Sequence, residues 1–313
     1  LHRPKLHAKA LKSPRRRSIK QINCLPIDRT ISEARTMNIE KLLKQPNALP
    51  SAPRVVRQLI ETFQQEDVDV MQAAAYIESD PVLTAKLLKM ANSAFFGLNR
   101  SVTTAKDAIN VMGLIKVRAL VIAAALGDGF HSVGSVNLGQ FWRYSLNTAN
   151  LSRYLALPIK IDENTAFTAG LIHGIGELVM HVGMPEAMID LNRSIPMLDL
   201  KRARAERGLF GYSYADVGAA LAREWKFPKK MINAIEHQVA PFDNDVYEPI
   251  AGVIHIANWR ARAEELSLGS QGLINTYPDS IGLVLGVDPD TVIGEDIPAL
   301  TRTAAAEQAE ATH

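Results

Sequence analysis

The sequence is poor in several things that chemistry and membranes commonly use. Cys24 is the one cysteine in 313 residues. No internal disulfide can form, and a reducing compartment, the cytoplasm, is the expectation. No apolar run approaches the roughly 18 residues of a membrane span. Residues 119–126 come closest, but they are too short and lie between Arg118 and Asp128. The basic start is followed by no apolar h-region, so no signal peptide is expected. There is no GxxxxGK(S/T) and no strand-borne GxGxxG, which removes the phosphate-loop argument. No alternating apolar–polar run of useful length appears, so no β-sheet is expected. Cys24 has no histidine close to it in sequence, which argues against a thiol nucleophile.

What is present is a large apolar fraction. Hydrophobic residues make up 47% and charged residues 22%, which fits a globular protein with a substantial core. Net charge is +2 but uneven: residues 1–20 hold eight Lys or Arg and no acid, leaving 27 basic against 33 acidic residues in the rest. The body is therefore acidic and a poor general binder of phosphate backbones. Nucleic acid or an acidic surface is a partner only through the arm, where Arg15, Arg16 and Arg17 cluster; a solvated tail is the plainer reading.

Helical spacing runs from Ile39 onward. Residues 1–36 read as a basic flexible arm and 37–130 as an N-terminal helical lobe. Residues 131–300 read as a second helical lobe and 301–313 as a fraying tail. Ser51, Asp69 and Asp80-Pro81 are start signals, and Thr104 with Asp107 has the pattern of a capping box. Residues 116–126 are almost wholly apolar and are expected to be central. The glycines between 127 and 139 suggest a hinge or boundary. Further helices are expected over 141–155, 163–182, 185–193, 198–207, 214–225, 229–238 and 249–266. Trp142, Trp225 and Trp259 sit among apolar neighbours and read as packing residues.

The stretch AFTAGLIHGIGELVMH, residues 166–181, reads as one buried helix. A buried imidazole must be hydrogen-bonded or hold a metal, which singles out His173. Glu177 and His181 follow at steps of four and could share its face.

Several motifs in order resemble one family. They are the segment from NALPSAPRVVRQLIETF to KLLKMANSAFFG, then SVTTAKDAINVMGLIKVRAL, FWRYSLNTA, AFTAGLIHGIGELVM, GYSYADVGAALAREWKFPKKMINAIEHQ and IHIANW. Over roughly residues 40–265 the chain resembles the HDOD domain, a bacterial signalling-output module related to HD-type metal-dependent phosphohydrolases. The resemblance implies an all-α, two-lobed architecture, an N-terminal helical lobe plus an HD-phosphohydrolase-like lobe, with a groove between them.

It also implies where metal ligands would fall, and the residues there are unusual. Tyr144 stands in place of the first histidine, His173-Gly174 in place of the His-Asp pair, His237-Gln238 at a further histidine pair, and Asn258 in place of the last aspartate. Gly174 cannot coordinate, Asn258 offers only a neutral carbonyl, and a phenol with a reference pKa of about 10 is a poor ligand. No catalytic residue, metal or cofactor is therefore expected. His173 is expected to bond to backbone carbonyls or to Asn258, and His255 and Asn258 to bond each other. The expected function is regulation by binding a signalling protein or a small signal molecule in the cleft. Its rim candidates are Phe95, Phe96, Asn99, Arg100, His131, Tyr144, His173, His237 and Asn258. The rival is a phosphohydrolase acting on a nucleotide or cyclic dinucleotide through a site rebuilt from His173 with Glu177 and His181, or with His237.

Overall fold

A computed structural model describes residues 37–45, 69–79, 81–92, 100–114, 116–117, 120–121, 136–224, 227–243, 247–294, 297 and 300. Among the described residues every regular element is a helix, as the absence of alternating patterns implies. None is long and apolar enough to cross a membrane. The basic arm, Ser51, Asp80, the tail and most of 116–135 lie outside the described residues.

The N-terminal helices are α1 (Ile39–Leu43), α2 (Val70–Glu78), α3 (Pro81–Ala91) and α4 (Ala105–Met112). Their starts follow the chemistry of orphan N–H groups. Asp69 accepts from the N–H of Met71 and of Gln72, and Thr104 accepts from the N–H of Asp107, each covering donors the helix leaves unpaired. The capping box at Thr104 is only half made: the Asp107 carboxylate is held by the Arg100 guanidinium and the Thr103 N–H. Helices α2, α3 and α4 pack on one another, while α1 packs on two helices of the larger group described next.

That group begins with α5 (Leu138–Ala156), α6 (Glu163–Ile172), α7 (Ile175–Gly183), α8 (Pro185–Ser194) and α9 (Arg202–Phe210). It continues with α10 (Tyr214–Glu224), α11 (Lys229–His237) and α12 (Pro249–Glu265). Asn137 and Asp162 cap α5 and α6, while Pro185 and Pro249 occupy first-turn positions where no N–H is needed. Helix α5 lies against α6 and α12, α7 against α10, and α10 and α11 complete the layer back to α12. Residues 138 and 139, the end of the glycine-bearing stretch, already belong to α5, and residues 127–135 of that stretch lie outside the described residues.

Two expectations are corrected here. The single helix over 163–182 is two helices, broken at His173-Gly174. The imidazole Nδ1 of His173 bonds the Gly170 carbonyl at 2.7 Å, the acceptor a continuing helix would offer to the N–H of residue 174. The His173 carbonyl in turn accepts from the Gln238 side-chain amide at 2.9 Å. Side chains thus satisfy the carbonyls that the break exposes. Nor does the ninth helix start at Leu198: it begins at Arg202 and runs to Phe210, closed by Gly211 in the left-handed region at φ 85°.

The break lets α7 approach α10 very closely. A Cβ on Gly176 would overlap the Tyr214 carbonyl and sit 2.7 Å from the Gly218 nitrogen, so backbone meets backbone there. Past α12 the chain adds α13 (Ser270–Thr276), α14 (Asp279–Leu285) and α15 (Asp290–Ile293), which periodicity did not suggest. They fasten to α12: Trp259 donates to the Thr276 hydroxyl at 3.0 Å and stacks edge-on against Tyr277, and Arg260 donates to the Val292 carbonyl.

Candidate functional site

Four helices converge on the break between α6 and α7. Tyr144 comes from α5, His173 and Gly174 from the break, and Tyr214 from the start of α10. Gln238 comes from the end of α11, and Asn258 and Arg262 from one face of α12. Tyr144, His173, Gln238, Tyr214 and Arg262 are all at or near zero exposure, and Asn258 is buried too.

The Tyr144 ring stands edge-on to His173 with centroids 5.3 Å apart. Its hydroxyl lies where a side chain of residue 174 would have to go: a Cβ built on Gly174 falls well inside contact distance of that oxygen. Tyr144 and Gly174 are thus shape partners, and the phenol fills the room that the glycine leaves. Burial pushes the Tyr144 hydroxyl well above its ordinary pKa, so it stays protonated.

His173 is neutral. Burial, reinforced by the charge of Arg262, lowers its pKa to about 3. Because Nδ1 faces a carbonyl it carries the proton, and Nε2 keeps a lone pair with no partner among the described residues. The expected bond to backbone is present. The expected bond between His255 and Asn258 is not: His255 bonds the Gln238 carbonyl at 2.7 Å, while Asn258 donates to the Tyr214 hydroxyl at 3.1 Å.

Arg262 is the group that pattern reading missed. Its Nε donates to the Asn258 carbonyl oxygen and one Nη donates to the Asp199 carbonyl, both at 2.9 Å. The guanidinium lies 5.4 Å from the Tyr214 ring centre and 5.9 Å from that of Tyr144, within range of cation–π attraction. The other Nη has no hydrogen-bond partner among the described residues. What this set offers a divalent ion is one imidazole nitrogen, amide and phenol oxygens, and a fixed positive charge. Divalent metals are held by several imidazole, thiolate or carboxylate ligands together, and a guanidinium repels them. The residues do not fit a metal. Among the described residues no three His, Cys, Asp or Glu side chains are placed to share one.

The other expected ligands lie apart. Glu177 and His181 belong to a second buried cluster. Arg202 donates to Glu177 at 3.2 and 3.3 Å, to Glu206 at 2.8 Å, and to Asn192 and the Ile195 carbonyl. His181 bonds the Glu177 backbone carbonyl and accepts from the Asn192 amide. Burial, then the neighbouring Glu177, raises the pKa of Glu206 well above the ordinary carboxylate range. His237 is half-buried and lines a separate groove with Arg207, Tyr212, Asp216, Arg223 and Glu236. Arg100 is exposed and committed to Asp107. Phe95, Phe96, Asn99 and His131 fall outside the described residues.

The HDOD domain family matches residues 49–241, more than half of the chain. The chain belongs to the HDOD family. A solved structure from Shewanella amazonensis that carries a phosphohydrolase name is 29% identical, with a TM-score of 0.66 over 80% of this chain and 91% of that one. An HDOD domain protein of unknown function from Geobacter sulfurreducens shares the fold at 23% identity, TM-score 0.59, over 84% and 90% of the two chains. An uncharacterized protein of Treponema pallidum is 28% identical over 222 residues. Those residues are 68% of this chain, which spans only 42% of the length of that curated relative. The helical, HD-like fold expected from the sequence is thus the fold this HDOD chain has.

Proposed function

We propose that this HDOD chain is a non-catalytic regulatory module of signal transduction. It acts by binding a protein or a small ligand in the cleft beside the altered HD position. One observation supports this reading: the Tyr144 hydroxyl takes the space beside Gly174, and the buried Arg262 cation stands next to it and to Asn258, at the positions where the family resemblance would put metal ligands. Without metals there is nothing to lower the pKa of water to a useful value at neutral pH. The remaining imidazole, neutral with its proton on the side facing Gly170, is not placed to replace them.

The phosphohydrolase name carried by the Shewanella relative favours the second reading, a metal-dependent hydrolase of nucleotides or cyclic dinucleotides. Metal analysis of the full chain purified without chelator separates the two. The regulatory reading expects no stoichiometric Fe, Mn, Zn or Mg and no turnover of phosphodiesters. A bound metal that disappears in His173→Ala, together with hydrolysis, would establish the enzyme instead.

A further inference from the structure

The buried charge of Arg262 has a consequence for what the site takes. The guanidinium is 3% exposed as a residue, and its two bonds go to neutral oxygens, those of Asn258 and Asp199. No carboxylate among the described residues forms an ion pair with it. A buried cation without a counter-ion is costly, and the protein normally supplies a partner. Glu177 and Glu206 favour its charge only from beyond ion-pair distance, since their close contacts are made to Arg202.

The arginine borders a small pocket of about 220 Å³, lined on its apolar side by Leu200, Ala203, Val239, Trp259 and Pro278. Tyr214 and Asn258 also line it. The Tyr214 hydroxyl accepts from Asn258, so its own hydrogen is free to donate. Gln238, His255 and Thr276 complete the lining, so a cation and a hydroxyl donor border a pocket that is apolar on one side.

We propose that this pocket receives the carboxylate of a small organic acid, with the anion on Arg262 and the apolar body against Leu200, Val239 and Trp259. Charge decides the class. A single cation without an ion-pair partner matches a monoanion, whereas inorganic phosphate or a phosphomonoester near neutral pH carries more charge than one guanidinium balances. The free Nη has no exposed surface of its own, so engaging it requires neighbouring side chains to shift. Arg262 also ties α12 to the Asp199 carbonyl and, through Asn258, to α10. Occupancy therefore pulls on three segments at once, which is how a bound acid becomes a change in shape.

This rests on the non-catalytic reading of the same site. The test is calorimetric titration and thermal melting of the full chain with benzoate. Neutral benzamide and inorganic phosphate serve as controls, and metal content is measured on the same sample. Benzoate is expected to bind and raise the melting temperature, with benzamide and phosphate silent. Arg262→Met should weaken benzoate by about thirtyfold or more, the range for removing one partner of a buried charge pair. Ala203→Phe fills the pocket without touching the charge and should abolish the response, which keeps the test decisive if the arginine variant does not fold. Silence of benzoate in a metal-free sample, phosphate binding in its place, equal binding of benzamide, or a response that survives Ala203→Phe would each overturn the acid site alone. A metal-loaded, hydrolysing sample would overturn the regulatory reading as well.

Discussion

Gly174→Ala adds a single methyl group at the break between α6 and α7, and that methyl has nowhere to go. The new carbon would overlap the Tyr144 hydroxyl and stand 3.3 Å from the Phe141 ring. Tyr144 cannot swing aside, because it is fully buried between Phe141 and His173, with ring centroids 5.4 and 5.3 Å away. Overpacking of this kind costs about 1–3 kcal/mol. Most of the clash is with one oxygen, so deleting that oxygen should relieve it. Tyr144→Phe alone removes a buried hydroxyl that has no partner among the described residues, a change expected to be neutral or slightly stabilising. In the Tyr144→Phe background, Gly174→Ala should therefore cost about 1 kcal/mol or less, giving a coupling of about 1–2 kcal/mol. Urea denaturation of the four proteins in the cycle measures this. Equal costs of Gly174→Ala in both backgrounds would refute the claim that the phenol occupies the space beside residue 174.

Gly176→Ala should be more damaging, by about 3 kcal/mol or more, because its Cβ meets the backbone of α10 and no side chain can yield; a midpoint within error of the parent would contradict it. Arg202→Met should cost about 3–5 kcal/mol by stranding Glu177 in the interior, whereas Glu206→Gln should be nearly silent at neutral pH, as read by chemical denaturation. The raised pKa of Glu206 sets a sign: above the ordinary glutamate value of 4.5 the folded chain holds a proton that the unfolded chain releases. Stability from this group is full below that value and is lost as pH rises through the folded pKa, and Glu206→Gln should flatten that slope. His173 works oppositely: its folded pKa is lowered from 6.5 to about 3, so acidification through that window should destabilise the chain, and His173→Gln should weaken the effect in melts across pH. Trp259→Phe should lose the bond to Thr276 and about 1 kcal/mol, visible as an earlier loss of the 270–293 segment in hydrogen exchange.

Much of the helical framework was legible because its signals are local. Asp69, Thr104, Pro185 and Pro249 announce helix starts within three residues of themselves, and α5, α10 and α12 lie where periodicity puts them. The break at His173 was not legible, since the apolar pattern runs straight through it. The cause is a side-chain bond to Gly170 together with a second from Gln238, 65 residues away. Arg262 escaped for the same reason. Its partners are Asn258 one turn earlier and a carbonyl 63 residues back, and an arginine in the charged run RARAEE reads as solvated. Arg202 and Glu206 sit in a run, KRARAER, that looks like an exposed charged face, yet both are fully buried. A hint was available in each case: Asn258 and Arg262, like Arg202 and Glu206, are spaced four apart and so share a face. Of the positions the resemblance marked, Tyr144, His173, Gly174, Gln238 and Asn258 meet around the break while His237 lies apart, and only the three-dimensional packing brings Arg262 among them.

The interlock of phenol and glycine imposes an order on change. A side chain at 174 carries a penalty that falls once the hydroxyl at 144 has gone, while loss of that hydroxyl alone leaves the fold standing. Routes across sequence space that would equip this position with a new function therefore pass through α5 first. A library that randomises residue 174 in the present background will recover mostly glycine, and one that randomises both positions together will not.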